Sequence, residues 1–155
     1  MREMGTPEKD FDDFVRWHEE FALNILQERG KFTPQVSYCK DKKLIIVMCI
    51  GREAVRLALI KAKSEHPDWI VNMSEGYRMS VPKEKKDEFF KKFQHGDLEK
   101  RFLAGDKSIK ESITIVVYMK NKSKVFSYDI VRGECGRAVK LEKMEDIKEF
   151  GGYLV

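Results

Sequence analysis

Cysteine, proline and histidine are scarce in this chain, and no apolar run is long. The three cysteines, Cys39, Cys49 and Cys135, are an odd set without CxxC spacing, which argues against a disulfide framework and a zinc site. Cys39 and Cys49 sit in apolar, strand-like segments, where buried free thiols are the expectation. The three histidines, His18, His66 and His95, share no local motif, so no metal is expected. The longest apolar run, Leu44 to Ile50, is far short of the roughly 20 residues that cross a bilayer as a helix, and no membrane association is expected. The opening MREMGTPEKDFDD lacks an apolar core, so the expected compartment is the cytoplasm rather than a secretory route. An excess of one charge is missing too. Thirty basic residues against 26 acidic ones leave only +4, a mixed surface that disfavours nucleic-acid binding. P-loop, GxGxxG, HExxH and GxSxG motifs are absent, and no cofactor is expected.

What is present suits one domain over residues 1–155, with a charged segment at 82–107 read as an insertion. Charged residues make up 36% of the chain, above the usual quarter, and Lys and Glu dominate them, as on a thermophile's surface. Thr6-Pro7-Glu8 predicts a helix start with Thr6 as cap. Phe11, Phe14, Val15, Phe21, Ala22, Ile25 and Leu26 then form one helical face, ended by Gly30. His18 fills a gap in that stripe, and a core-edge histidine bonded to a carbonyl or water is expected.

Residues 32–40 predict a strand with Pro34 at an edge or its start. Residues 41–43 are a turn, and 44–50 read as a central strand buried on both faces. Residues 52–64 form a second amphipathic helix, with Ala54, Val55, Ala58, Leu59 and Ala62 inward. Strands follow at 69–81, 109–120, 125–132 and, shortest, 138–141, and residues 144–150 suggest one helical turn. The expected fold is α+β: a mixed, mainly antiparallel sheet of about five strands, one face covered by two helices, with a charged helical insertion.

The sharpest conflict lies in Trp69 to Val81. Its odd positions are apolar or aromatic except for Glu75. A carboxylate on an apolar face needs a partner, a raised pKa or a job. Three resolutions are open: pairing with Arg132, Arg78 or Arg101, a bulge at Gly76 that turns Glu75 to solvent, or a pocket in which it acts as acid or base. Arginine pairing is the favoured one. The candidate polar cluster is Glu75, Tyr77, Arg78, Glu111, Tyr128 and Arg132, with Glu111–Arg132 as the preferred cross-strand pair. Asp129 shares its strand with Tyr128 and Arg132 but takes the opposite face. Lys83, Lys85, Lys86, Lys91 and Lys92 make a basic stretch diluted by Glu84, Asp87 and Glu88, which reads as a solvated helix face.

The order of elements, with Gly30-Lys31-Phe32 and Pro34, Ser74-Glu75-Gly76, Glu111, and Tyr128, Ile130 and Arg132, resembles a loosely defined set of small prokaryotic α/β proteins with no assigned activity. The likeness runs from about Phe21 to Arg132. It implies the same layout and a role for Glu75, and it implies no chemistry. The function expected is therefore a non-catalytic interaction or accessory module. A homodimer or an unknown protein partner would cover Phe89, Phe90, Phe93, Tyr153 and Leu154. The alternative is an enzyme or small-ligand-binding protein with a pocket around Glu75, lined by Tyr77, Tyr128 and Arg132, and a third is weak nucleic-acid binding through residues 83–92.

Overall fold

The computed structural model describes residues 4–79, 83–85, 87–88, 91, 96–144 and 148–151. Helix α1 (Phe11–Arg29) starts later than its sequence suggests. Asp10, not Thr6, is the cap, accepting the Asp13 N–H at 3.1 Å. Residues 7–9 form a turn instead, and Thr6 contributes only its backbone carbonyl. Gly30 ends the helix at φ +78°, donating its N–H to the Leu26 carbonyl, a left-handed stop that glycine adopts without steric cost.

Strands β1 (Gln35–Lys40) and β2 (Lys43–Met48) form a tight hairpin. Asp41 and Lys42 both have positive φ, the geometry of a two-residue turn that matches strand twist. Helix α2 (Arg52–Ser64) and strand β3 (Trp69–Met79) follow. Then come a 3-10 turn at Lys83–Lys85 and a short helix α3 (Asp97–Leu103). The chain closes with β4 (Ile109–Tyr118), β5 (Lys122–Arg132), β6 (Ala138–Lys143) and β7 (Lys148–Gly151). The sheet order is β2-β1-β3-β4-β5-β6, with β7 pairing β5 along the same edge as β6.

The α+β layout stands, with four corrections, the last of them in how the helices cover the sheet. Every pairing among the described strands is antiparallel, so the sheet is not mixed. Residues 148–151 are a strand rather than part of a helical turn. The third is that, among the described residues, β2 is an edge strand paired only with β1, and not a central one. Its continuous apolar run misled, because such a run fits a buried strand and an unguarded edge equally well. Phe89, Phe90, Phe93, Tyr153 and Leu154, the aromatic and apolar residues from which a dimer was expected, lie outside the described residues, as do Lys86 and Lys92.

The helices cover opposite faces of the sheet, not one. Trp69, Val71 and Met73 of β3, Ile113, Ile115 and Val117 of β4 and Phe126 and Tyr128 of β5 pack under Phe14, Val15, Ala22 and Leu26 of α1. Ile70 of β3 joins Val36 and Tyr38 of β1 against Ala54, Val55, Ala58, Leu59 and Ala62 of α2. Alternation along a strand forces this split, since Ile70 and its two neighbours point to opposite sides. Burial of each large apolar side chain contributes roughly 1.5–3 kcal/mol, which outweighs the surface ion pairs.

His18 is a core residue. It is buried among Phe14, Trp17 and Trp69, and its Nδ1–H donates to the Phe14 carbonyl at 2.9 Å. Burial pushes its pKa down from the ordinary 6.5 to about 4. Between those values the unfolded chain binds a proton that the folded chain refuses. Stability must therefore fall as pH drops through that window, by up to about 1.4 kcal/mol per pH unit. Urea unfolding of wild type and His18→Phe from pH 7 to pH 4 is expected to show wild type losing ground steadily to the variant. A pH-independent difference would contradict a buried neutral imidazole.

Candidate functional site

Arg132 ends β5 next to a register shift between β5 and β6 at Val131/Arg132. Its guanidinium reaches Glu111 on β4 with both ends of the fork, Nε to Oε1 at 3.0 Å and Nη2 to Oε2 at 2.9 Å. Nη2 also donates to the Gly30 carbonyl at 2.9 Å, and Nη1 donates to the Gly136 carbonyl at 2.8 Å. One side chain thus ties β4, β5, the end of α1 and the turn before β6. The planar, fixed fork of arginine permits this, whereas a lysine has a single ammonium to offer.

Glu75 stands beside this clasp without being paired to it. Its Oε2 accepts the Phe32 N–H at 2.7 Å, so it serves the backbone leaving α1. None of the three arginines expected for Glu75 pairs with it: Arg132 goes to Glu111, Arg78 to Asp129, and Arg101 reaches the Met79 sulfur at 3.9 Å. A bulge at Gly76 is excluded as well, because the β3–β4 register runs unbroken from Ile70 to Met79. Burial raises the Glu75 pKa above the ordinary carboxylate range, and the Glu111 charge adds to the rise. The Phe32 N–H, Arg132 and Lys31 oppose it. Tyr77 is the cross-strand partner of Glu111 and packs on Phe102 of α3 with ring centres 5.1 Å apart. Burial raises its pKa too, ahead of the nearby Glu99, Glu111 and Glu75 charges.

The remaining two candidates have other tasks. Tyr128 is buried on the same face, but Ile113 stands between it and Glu75 in the cross-strand row. Its O–H donates to Glu19 of α1 at 2.6 Å, and Lys143 approaches the same Glu19 oxygen at 3.6 Å. Burial first, and Glu19 second, push the phenol pKa far up. Arg78 lies on the opposite face, donating to both oxygens of Asp129 at 2.8 and 2.6 Å across β4.

The structure therefore brings four of the six together: Glu75, Tyr77, Glu111 and Arg132. It adds partners that side-chain reasoning could not supply, namely the Phe32 amide and the Gly30 and Gly136 carbonyls. Gly30 and Phe32 flank Lys31 just after α1, so the carbonyl of one and the amide of the other bring Arg132 and Glu75 to the same short segment. Beside it opens a groove of about 490 Å³, lined among others by Phe102, Ile109, Lys110, Glu111, Ile130 and Arg132. Glu75, Tyr77 and Tyr128 are not among its lining residues. Among the described residues no group of His, Cys, Asp and Glu has the arrangement to hold a metal ion, and no helix is long and apolar enough to cross a membrane. No protein-family model matches the chain, and no curated protein matches it either.

The Glu75 environment sets an expected pair of outcomes. A folded pKa raised above the unfolded one stabilises the fold at low pH, and that contribution is lost as pH rises through the folded value. Glu75→Gln keeps an acceptor for Phe32 N–H and removes the buried charge. It is expected to match or exceed wild-type stability at pH 7, an advantage that fades towards pH 4. Glu75→Ala orphans that N–H and is expected to cost about 1–3 kcal/mol. Denaturant unfolding at both pH values checks this, and equal losses for the two variants at pH 7 would overturn it.

Proposed function

We propose that this protein is a non-catalytic interaction module, and that its contact surface is the sheet edge at β2. The observation that carries this reading is how the polar cluster is spent. Arg132 gives its donors to Glu111, Gly30 and Gly136, and Glu75 accepts from Phe32. A nucleophile, base or anion clamp needs groups left over for the substrate, and here four of the five Arg132 N–H groups and one Glu75 oxygen are already engaged within the fold. Apolar side chains are exposed at the other end instead. Along β2, Leu44, Ile46 and Met48 lie on one face and are each 41–46% exposed, a row of the kind that marks interaction surfaces.

A second reading, a small-ligand site, is favoured by the groove beside Arg132. Its volume, about 490 Å³, lies in the usual range for ligand pockets. It offers apolar walls at Phe102, Ile109 and Ile130 and cationic groups at Lys107 and Lys110. That groove rests on the clasp described above and would bind rather than react.

The module reading is tested by the size of the protein in an extract of its native host. Wild type is expected to elute well above its 18.2 kDa chain mass. Ile46→Lys is expected to elute at that mass while keeping a cooperative thermal transition, since the side chain is solvent-exposed in the single chain. Wild type eluting as a lone chain would contradict the proposal.

A further inference from the structure

We infer that the partner of the β2 edge is a second copy of this chain, joined by antiparallel β2–β2 pairing about a two-fold axis at Ile46. This rests on the interaction-module reading and gives it a partner. In the hairpin, Cys49 N–H donates to the Pro34 carbonyl at 2.8 Å. By alternation the odd residues of β2 aim their backbone groups at β1, and Leu44, Ile46 and Met48 aim theirs outward. These are also the residues whose side chains lie 41–46% exposed on one face.

A two-fold axis perpendicular to the sheet keeps each face on its own side. With Ile46 on that axis, Ile46 meets Ile46 and Leu44 meets Met48 on one face, while Ile45 meets Val47 on the other. Every outward backbone group of the strand then finds a partner, since each facing pair exchanges two N–H···O bonds. Isologous self-complementarity of this kind is what a closed dimer requires. Moving the axis to Ile45 or Leu44 carries Met48 past the end of the facing β2 strand and leaves its outward groups unpaired, and moving it to Lys43 sets lysine against lysine, where like charges directly opposed are destabilising. Moving it to Val47 sets Lys42 against Arg52 beyond the strand end. Centred on Ile46, the lysines of the two copies sit at opposite ends.

The other edge of the sheet shows what a guarded strand looks like. There β6 carries exposed Lys140, Glu142 and Lys143, with Lys140 and Glu142 paired at 3.3 Å. Charges of this kind block edge-to-edge pairing. β2 has no charge after Lys43, so it is left open to a complementary strand.

Sedimentation velocity of the purified full-length chain over a dilution series tests the inference. Wild type is expected to form a species of twice 18.2 kDa. Ile46→Lys places like charges on the axis and is expected to weaken dimerisation about tenfold or more. Leu44→Glu alone is expected to weaken it as well. Leu44→Glu with Met48→Lys is expected to restore it, because this register opposes the two new charges across the axis. Residues 44 and 48 are too far apart along one strand to compensate within a single copy. Full dimerisation of Ile46→Lys, or no recovery in the double variant, would overturn the interface. A purified wild type that stays at 18.2 kDa would overturn self-pairing. If wild type in host extract still runs large and Ile46→Lys does not, a foreign strand is the partner and the module reading survives. If both run as single chains there, both readings fall.

Discussion

The bidentate contact between Arg132 and Glu111 is the interaction on which the C-terminal half of the sheet depends. The two side chains are only 23% and 12% exposed, so each has given up most of its water. A charge in that position is tolerated because the other satisfies it and because the Gly30 and Gly136 carbonyls take two of the three remaining donors. Remove one partner and the survivor is a poorly solvated charge with nowhere to turn. The same guanidinium also holds the Gly30 carbonyl at the end of α1, two residues before the Phe32 amide that reaches Glu75. Glu75 is thus best understood through its neighbour. Once Glu111 holds the arginine, the nearby carboxylate keeps only a backbone donor and a raised pKa.

The second constraint is the two-sided apolar character of β3 near its start. Trp69 and Val71 serve one core and Ile70 the other, so the helices must be placed on opposite faces. α1 covers β3 to β5, α2 covers β1 and the start of β3, and neither covers the outward side of β2. An apolar edge follows from where the two covers end. Polar clasp and apolar edge therefore lie in different regions of one sheet. The first holds the fold, and the second is the surface available to a partner.

Much of this was legible in residue order. The boundaries of α2, the position of Gly30, the parity of β3 and the Glu111–Arg132 pair all follow from local patterns: helical spacing, a glycine stop and strand alternation. What failed depended on tertiary placement. The run from Leu44 to Ile50 says that a strand is apolar and not whether a neighbour covers it, so β2 was misplaced to the centre. Periodicity showed two inward helix faces but not that they turn to opposite sides. The partner of Glu75 was hidden for another reason: it is a backbone amide, and an N–H carries no sequence signal. Asp10 displaced Thr6 as cap because two acceptable capping residues stood close together, and only the turn between them decides.

A double-mutant cycle on Arg132→Met and Glu111→Gln, read by urea unfolding at pH 7, bears most directly on the claim that the cluster is a structural clasp. The account expects each single variant to lose about 2 kcal/mol or more, with a coupling energy of similar size, because either change strands the other group. Losses below about 0.5 kcal/mol with no coupling, as for a solvated surface pair, would contradict it and free Arg132 for a ligand.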